Sequence, residues 1–266
     1  MSRLIPTDIS HIPTSMQAYD ATFQKQTGMT MAQTACHGLH ISEHSPVKKT
    51  AVIPVTSGLG VISRFSESVC AILQHIGADA FVTEKTDVAG LQEAYAAGAE
   101  VIFLADDDVY AAFSTGGAWQ SDNGFATGIA FAAALDGAVS CAGKKVLVLG
   151  AGPVGSAAAK WLDNAGAQVA VYDPLLGKAK AAAEKCVHAT VLCDTPDLRQ
   201  YGYILDATPN GGWISAEDVT EGTVFSVPGM PLSLTSEAAE KVTLIHNPLE
   251  LGTIAMYYDC IRQMEG

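Results

Sequence analysis

Three glycines mark the part of the chain whose chemistry is easiest to infer. The stretch KKVLVLGAGPVGSAAAKWLDNAGAQVAVYD, residues 144–173, places Gly150, Gly152 and Gly155 in the pattern G-x-G-x-x-G, between an apolar strand and an alanine-rich helix. The first glycine permits a tight turn, the second lets the backbone approach a pyrophosphate, and the third permits close packing of helix on strand. Free N–H groups at the start of that helix would bind phosphate. The pattern predicts a dinucleotide site.

The residue at the end of the next strand predicts which dinucleotide binds. Asp173 ends the strand AQVAVYD, where a carboxylate accepts hydrogen bonds from the ribose hydroxyls and repels a 2′-phosphate, so NAD is favoured over NADP. The segments LDATPN and SVPG end later strands and either line the crevice beside the nicotinamide or form ordinary turns. A flavin site, a nucleotide-sugar site and a Rossmann fold without a ligand stay open. The predicted cofactor-binding residues are Gly150, Gly152, Pro153, Val154, Gly155, Asp173, Thr208, Pro209 and Pro228.

Hydroxyl and carboxylate groups after two earlier strands predict the substrate side. The stretch VIPVTSGLGVISRFSES places Thr56 and Ser57 after a strand, and their hydroxyl and N–H groups, with Arg64, suit the carboxylate of an amino acid. FLADDD places Asp106 nearest the end of a buried strand, where we expect it to face the cleft and bind an ammonium group. A solvated acidic loop or a helix cap is the alternative for these groups.

Cationic acid–base groups are scarce on that side. Between residues 50 and 143 the only lysine is Lys85, the only arginine is Arg64 and the only histidine is His75. Many amino-acid and hydroxy-acid dehydrogenases use a lysine or a His–Asp pair there as the acid–base group. We therefore expect any hydride chemistry to depend on carboxylates, hydroxyls, water or the substrate's own amine.

One segment groups residue types that bind metals. TACHGLHISEH contains Cys36, His37, His40 and His44, three of which would have to meet at one metal ion. Because there is no periodic framework and no second cluster, we expect a polar loop and no metal site. The six cysteines are scattered without a C-x-x-C pair, which is typical of reduced thiols in a cytosolic protein.

The order of the elements that position these groups predicts an α/β fold. After a helical start, strand and helix patterns alternate as β-α-β-α-β, which implies a parallel sheet with right-handed crossovers. A long alanine-rich helix then leads to the glycine motif, to further strands and to a last helix. The predicted parts are a helical N-terminal segment (1–50), a smaller α/β substrate domain (51–124), a linking helix (125–143) and a Rossmann NAD-binding domain with a parallel sheet and the C-terminal helix (144–266).

Composition excludes several classes of function. Hydrophobic residues make up 48% of the 266 residues and charged residues 16%, as in compact α/β proteins. The net charge of −13 argues against binding to nucleic acid or to an acidic membrane, because both need a positive field. No run approaches the roughly 18 apolar residues of a spanning helix, and MSRLIPTDIS lacks the apolar region of a signal peptide. We expect a cytoplasmic protein that acts on a small molecule, and a homodimer stays open.

Several motifs, taken in order, resemble one enzyme family. IPVTSGLGVISRFSES, ADDD after an apolar strand, the long central helix, GAGPVG, DATPN, VPG and HNPLELGTIAMYY are similar to the dehydrogenase that completes pyrrolysine biosynthesis, the D protein of that pathway. The similarity extends from LIPTDI to the last helix, and MTMAQTACHGLHISEH is its poorest match.

The resemblance implies a substrate and a reaction. The substrate is L-lysine that carries (3R)-3-methyl-D-ornithine in amide linkage on its ε-nitrogen. NAD accepts a hydride from the carbon that bears the terminal primary amine. The resulting imine or aldehyde condenses with the α-amine to give the pyrroline ring of L-pyrrolysine, with loss of the terminal nitrogen. Asp106 would be the catalytic residue that positions the ammonium group, and water or Asp106 would accept the proton.

The resemblance also implies substrate-binding residues. Leu4 matches a position in an N-terminal helix that is expected to close over the substrate, and either Asn247 or Glu250 matches a polar contact position. The implied substrate-binding residues are Leu4, Ser57, Ser66, Glu67, Asp106, Asn247 and Glu250. Another NAD-dependent two-domain dehydrogenase of shikimate or amino-acid type, which would need a Lys–Asp pair or a basic pocket, and a non-catalytic NAD-binding module stay open as alternatives.

Overall fold

The structure, a computed structural model, describes residues 4–42 and 47–265 and contains two β-sheets with helices packed between and around them. Strands and helices alternate along most of this chain, so the predicted α/β class is confirmed. Within the described ranges, no helix has both the length and the apolar character needed to cross a membrane.

The first sheet is built by the N-terminal half and is only partly parallel. Its strand order is β2-β1-β3-β4-β5, in which β1 pairs in parallel with β2 and β3, while β4 and β5 are antiparallel. The elements of this half are α1 (Pro6–Ile9), α2 (Ile12–Thr27), α3 (Met31–Leu39), β1 (Lys49–Ile53), α4 (Phe65–His75), β2 (Asp79–Val82), α5 (Asp87–Ala96), β3 (Val101–Ala105), β4 (Tyr110–Ser114) and β5 (Gln120–Asp122).

The three strands predicted in this half, β1, β2 and β3, are parallel as expected, and two strands that were not predicted, β4 and β5, add an antiparallel part. The acidic run after β3 is the turn of a hairpin, in which Ala105 pairs with Tyr110. The Asp106 N–H donates to the Val109 carbonyl oxygen at 2.9 Å, which reverses the chain at once. A short turn of this kind joins antiparallel neighbours, whereas a parallel neighbour needs a crossover connection.

The second sheet is built by the C-terminal half and is parallel throughout. Its order is β11-β10-β9-β6-β7-β8, which is the doubly wound order with a switch point between β6 and β9. The elements of this half are α6 (Asn123–Val139), β6 (Lys145–Leu149), α7 (Pro153–Asn164), β7 (Gln168–Tyr172), α8 (Leu176–Ala183), β8 (Thr190–Val191), a 3-10 turn (Leu198–Gln200), β9 (Tyr203–Asp206), β10 (Val224–Val227), α9 (Ser236–Lys241), β11 (Thr243–His246) and α10 (Glu250–Glu265).

Helix α6 connects the two halves and is buried along most of its length. Asp122 caps it, since its Oδ1 accepts the Phe125 N–H at 2.9 Å. Small residues let neighbouring helices approach closely: a Cβ built at Gly128 would lie 2.4 Å from the Val154 carbonyl oxygen of α7. The start of α7 is thereby fixed against the middle of α6.

The terminal helices pack on the same central helix. Helix α10 contacts α3, α4, α6 and β4, so the last helix lies against the N-terminal half although it follows the second sheet in sequence. The predicted domain boundaries stay a prediction. Residues 31–39 form helix α3, which contacts α6 and α10, so the expectation of a polar loop for the segment with Cys36 is wrong. Its apolar side, which includes Met31 and Leu39, is buried in the core.

Candidate functional site

A cavity of about 220 Å³ lies between the two sheets. It is bordered by the segments that follow β1 and β3 in the first sheet and by those that follow β9, β10 and β11 in the second, together with the first turns of α6 and α7. The carboxyl ends of parallel strands next to a switch point are where open α/β sheets bind ligands. The cavity is therefore the candidate functional site.

The structure brings about half of the predicted site residues to the cavity wall. Those that line it are Leu4, Ser66, Asp106, Val154, Thr208, Pro209, Pro228 and Asn247. Those that do not line it are Ser57, Glu67, Gly150, Gly152, Pro153, Gly155, Asp173 and Glu250. The roles of all these residues stay proposals, which the geometry below supports to different degrees.

The glycine turn between β6 and α7 has the geometry of a phosphate cradle. Gly150 has a left-handed φ of 82°, and a Cβ built at Gly155 would lie 1.8 Å from the Gly150 carbonyl oxygen, so neither position tolerates a larger residue. A Cβ built at Gly152 meets nothing within 4 Å, which leaves open space in front of the turn. Gly152 is also the N-cap of α7, without a side-chain cap, and Pro153 follows it. The first N–H groups of α7 are thus available to a pyrophosphate.

Asp173 lies directly beside that turn. Its Oδ2 accepts the Ala151 N–H at 2.9 Å and its Oδ1 accepts the Leu175 N–H at 2.8 Å. Each carboxylate oxygen has a second lone pair that can accept a ribose hydroxyl. The residues of this wall therefore fit a dinucleotide whose adenosine ribose carries free hydroxyls.

Two carboxylates border the cavity from the first sheet. Asp106 is exposed, and its Oδ1 accepts the N–H groups of Val109 at 2.7 Å and of Asp108 at 2.9 Å. Both bonds lower the pKa of Asp106, and the bond from Val109 has the larger effect. Asp106 therefore stays ionised at neutral pH. Both bonds use Oδ1, which leaves Oδ2 to a cationic group. Asp107 is half-buried, and its Oδ2 accepts the Leu59 N–H at 2.6 Å.

Of Ser57 and Ser66, the two serines predicted as site residues after β1, only Ser66 reaches the cavity. Ser66 is 3% exposed and lines the wall from the first turn of α4. Ser57 and Glu67 are exposed and lie outside the lining, as does Arg64. Thr56 is turned to Asp87, to which its N–H donates at 2.8 Å and its hydroxyl at 2.6 Å. The loop is therefore organised by carboxylates from outside it, which its own sequence does not show.

Asn247 and Glu250 differ in their access to the cavity. Asn247 lines the wall and is 2% exposed. Its Oδ1 accepts the Leu251 N–H at 3.0 Å, while its Nδ2 completes no hydrogen bond of ordinary geometry within the part of the chain that the structure describes, although the Tyr19 hydroxyl lies close by. Glu250 lies outside the lining, its Oε2 accepts the Leu249 N–H at 3.1 Å, and burial raises its pKa. Asn247 is thus the residue of the two that can donate to a ligand.

Three polar residues of the wall were missed by the sequence reading. Tyr110, Asn123 and Thr127 line the cavity. The Thr127 hydroxyl donates to Asn123 Oδ1 at 2.9 Å, and the Tyr110 hydroxyl lies 2.8 Å from the hydroxyl of Thr253. The signal that could have shown Asn123 is the cap residue before it, which places the start of the long helix at residue 123 and not at 125.

The lining carries negative charge only. Among the described residues that border the cavity there is no lysine, arginine or histidine, whereas Asp106 and Asp107 are both present. Much of the remaining lining is apolar, including Phe65, Phe131 and Leu249. Such a cavity suits an aliphatic molecule with a cationic end.

The segment with Cys36 does not assemble a metal site in the ranges that are described. Cys36 is 2% exposed in the core, His37 Nε2 lies 3.1 Å from Asp136 Oδ2, and the His40 ring stacks on Trp161 with centroids 5.8 Å apart. His44 lies outside the described residues. Across residues 4–42 and 47–265, no three His, Cys, Asp or Glu side chains are grouped to hold a metal ion.

Solved structures share this architecture. Shikimate dehydrogenase from Aquifex aeolicus superposes with a TM-score of 0.52 at 18% identity, over 84% of this chain and 92% of that one. Quinate dehydrogenase from Corynebacterium glutamicum, solved in complex with NAD, superposes with a TM-score of 0.53 at 16% identity, over 80% of this chain and 92% of that one. At these identities the likeness shows the fold, which is that of the shikimate dehydrogenases.

Proteins found by sequence similarity share more identical residues with this chain than the two solved structures do. The model of the family described as "Pyrrolysine biosynthesis protein PylD, N-terminal domain" matches residues 8–118. The pyrrolysine synthase of Methanosarcina barkeri (strain Fusaro) is 34% identical over 266 residues, with 98% of each chain covered. That of Methanosarcina acetivorans is 33% identical over 265 residues, with 98% of this chain and 100% of the relative covered. The resemblance seen in the motifs is thereby confirmed, and the chain belongs to the family of the pyrrolysine biosynthesis protein PylD.

Proposed function

We propose that this protein is an NAD-dependent dehydrogenase that acts on (3R)-3-methyl-D-ornithyl-N6-L-lysine. It oxidises the carbon that bears the terminal primary amine, and ring closure with loss of ammonia gives L-pyrrolysine. Both Methanosarcina relatives are named pyrrolysine synthases, which supports this product. The observation that carries the proposal is the charge of the cavity, whose described lining includes Asp106 and Asp107 and no lysine, arginine or histidine. A primary ammonium group is what such a cavity attracts.

The cofactor side of the proposal rests on the glycine turn. Open space at Gly152, uncapped N–H groups at the start of α7 and the carboxylate of Asp173 together support NAD. A 2′-phosphate next to Asp173 would be repelled, so NADP is disfavoured. When bound there, NAD supplies the hydride acceptor.

The residues of the opposite wall would hold the substrate. Asp106 is assigned to the ammonium group, with its free Oδ2 as the acceptor. Asn247 Nδ2, which completes no hydrogen bond of ordinary geometry among the described residues, would donate to an acceptor on the substrate such as its amide carbonyl oxygen. Leu4 and Phe65 would cover the aliphatic part and exclude water.

The proposed steps balance in atoms and electrons. The ammonium loses a proton, and the carbon next to it loses a hydride to NAD, which leaves an iminium group, C=NH2+. The α-amine of the methylornithine part attacks this carbon, the terminal nitrogen leaves as ammonia, and loss of a second proton gives the neutral cyclic C=N bond. The lowered pKa makes the Asp106 carboxylate a weaker base than an ordinary aspartate, and water or this carboxylate accepts the proton. Asp106 acts by holding the reacting group in place.

The other expected properties stay proposals of the same kind. A small molecule as the partner fits the small, acidic cavity, a cytoplasmic location rests on the sequence alone, and a homodimer stays open.

One experiment separates this function from that of a non-catalytic NAD-binding module. The purified protein is incubated with NAD and the dipeptide, and NADH absorbance and product mass are followed together. We expect NADH and L-pyrrolysine in equal amounts. The control is the same dipeptide with hydrogen in place of the terminal amino group, from which no NADH should form. NAD binding without NADH formation from the true dipeptide would refute the proposal.

A further inference from the structure

One fully buried carboxylate has no part in the steps above. Asp206 ends β9, the strand next to the switch point, and is 0% exposed. It lies at the level of Leu149 of β6, close to where the glycine turn begins. Burial of a carboxylate without a cation is unfavourable, and an apolar residue at the end of a central strand would pack at lower cost. Asp206 therefore calls for a reason other than packing.

The hydrogen bonds of Asp206 are made to one wall of the cavity. Its Oδ1 accepts the N–H of Thr208 at 2.8 Å. Its Oδ2 has no partner within the described chain, although the hydroxyl of Ser233 lies close by. Burial raises the pKa of Asp206, and the groups that act against this rise, Ser233 and Thr208, are both neutral. The bond from the Thr208 N–H thus ties this carboxylate to a loop that lines the cavity.

The turn that Asp206 holds is in contact with a second loop of the same wall. Thr208 and Pro209 line the cavity from one loop, and Pro228 and Gly229 line it from the other. A Cβ built at Gly229 would lie 2.7 Å from the Thr208 carbonyl oxygen, so the two loops touch backbone to backbone.

Backbone bonds continue this contact behind the wall. The Gly212 N–H donates to the Leu232 carbonyl oxygen at 2.9 Å, and the Ile214 N–H donates to that of Ser233 at 3.0 Å. A shift of the Thr208 turn would therefore displace both loops.

We propose that Asp206 is a positioning residue for the cofactor: by accepting the Thr208 N–H it fixes the two loops that form the wall for the nicotinamide ring. The assignment of the nicotinamide to this wall rests on the proposed function. Asp206 acts as a hydrogen-bond acceptor in this role, and its charge is not required. An asparagine side chain at this position would serve equally, whereas a side chain without an acceptor would not.

The test uses two substitutions and one matched control. Asp206→Val keeps a branched side chain of similar size and removes the acceptor, and Asp206→Asn keeps the acceptor. The control is Asp163→Val. Asp163 is another buried carboxylate, 5% exposed, and accepts the N–H groups of Val187 at 2.6 Å and His188 at 3.0 Å, outside the cavity lining. NAD affinity by calorimetry, kcat and KM for the dipeptide, and amide exchange are measured for each folded variant.

We expect Asp206→Val to weaken NAD binding by about tenfold, the order of loss expected when a buried N–H is left without its acceptor. It should lower kcat, leave KM for the dipeptide near that of the wild type, and speed amide exchange at Thr208 and Asn210 and at Gly229 and Met230. Asp206→Asn should restore NAD affinity and kcat to within about threefold. Asp163→Val should unfold at a lower temperature with unchanged NAD affinity and kcat. Should Asp206→Val not fold, Asp206→Ala takes its place in the comparison.

Two results would overturn the role of Asp206. One is NAD affinity and kcat in Asp206→Val equal to those of the wild type, and the other is an Asp206→Asn variant as defective as Asp206→Val. The proposed function fails separately. A wild-type protein that binds NAD and forms no NADH refutes that function, and NAD affinity and amide exchange still decide the role of Asp206. A wild-type protein that binds no NAD overturns both proposals.

Discussion

Two strand–loop–helix connections face each other across the cavity, and they are built differently. Between β6 and α7 only residues 150–152 intervene, while between β1 and α4 the connection covers residues 54–64. Both are rich in glycine. In the short connection the N–H groups at the start of α7 are uncapped, and in the long one the N–H groups of Thr56 and Leu59 already donate to Asp87 and Asp107.

The difference explains why we assign the phosphate site to the short connection. A phosphate needs free N–H groups and room in front of them, and Gly152 provides that room. The long loop has its N–H groups occupied by carboxylates and presents apolar side chains, since Leu59 is 77% exposed and Val61 48% exposed. Part of this loop lines the cavity, and glycine content alone does not distinguish the two connections.

The largest expected effect concerns the acidic turn of the substrate wall. Asp106→Asn removes the charge that pairs with the ammonium group, and we expect turnover of the dipeptide to fall on the order of 100-fold with NAD affinity unchanged. Steady-state kinetics and calorimetry measure the two quantities. Asp108→Asn is the control, because Asp108 is exposed and lies outside the cavity lining. Full turnover in Asp106→Asn would remove Asp106 from the mechanism.

The next effect concerns the short connection. Gly152→Ala adds a methyl group where the structure has open space, so the protein should fold normally and bind NAD about tenfold or more weakly. Gly177→Ala is its control, since a Cβ there also meets nothing within 4 Å and Gly177 lies in α8, outside the cavity lining. If both variants bind NAD equally well, the pyrophosphate does not lie against Gly152.

A smaller effect distinguishes the two dinucleotides at the same turn. Asp173→Ala removes the acceptor for the ribose hydroxyls and the charge that would repel a 2′-phosphate. We expect affinity for NAD to fall by about tenfold and the preference for NAD over NADP to shrink by at least that factor. Titrations with both dinucleotides measure this. A preference that stays unchanged would assign the discrimination to another residue.

The smallest effect concerns the carboxylate that holds the long loop. The bonds from Thr56 lower the pKa of Asp87 below 3.8, so this carboxylate adds stability above pH 3.8 that is lost as the pH falls through its folded-state pKa. Asp87→Asn keeps the backbone, because Asp87 has a φ of 55° and Asn tolerates that region. We expect it to unfold a few degrees lower at neutral pH, with the difference shrinking below pH 3.8. Thermal unfolding against pH measures this, and a difference that grows in acid would contradict the assignment.

Features of the site that are encoded by a few neighbouring residues could be predicted from the sequence, and features that depend on distant residues could not. The turn at Gly150 is encoded within a few residues, so its glycines and Asp173 were found together from the sequence. The hairpin at Asp106 depends on pairing with β4, a strand that the sequence did not predict and that adds an antiparallel part to the sheet. The long loop depends on Asp87 and Asp107, which lie far from it in sequence.

Long-range packing explains the remaining differences. Asn123 and Thr127 reach the cavity because α6 begins two residues earlier than its apolar pattern indicates. Helix α3 carries polar residue types but buries one side against α6 and α10, which no local pattern shows. The choice between Asn247 and Glu250 depended on which side of the start of α10 borders the cavity.

The most direct test of the central claim follows the hydrogen itself. The dipeptide is prepared with two deuterium atoms on the carbon that bears the terminal amine, and the reduced cofactor, the product and the ammonia are analysed after one turnover. The account predicts one deuterium in NADH, one on the ring carbon of the cyclic imine, and one ammonia for each NADH. NADH without deuterium, or no NADH from a protein that binds NAD, would contradict it.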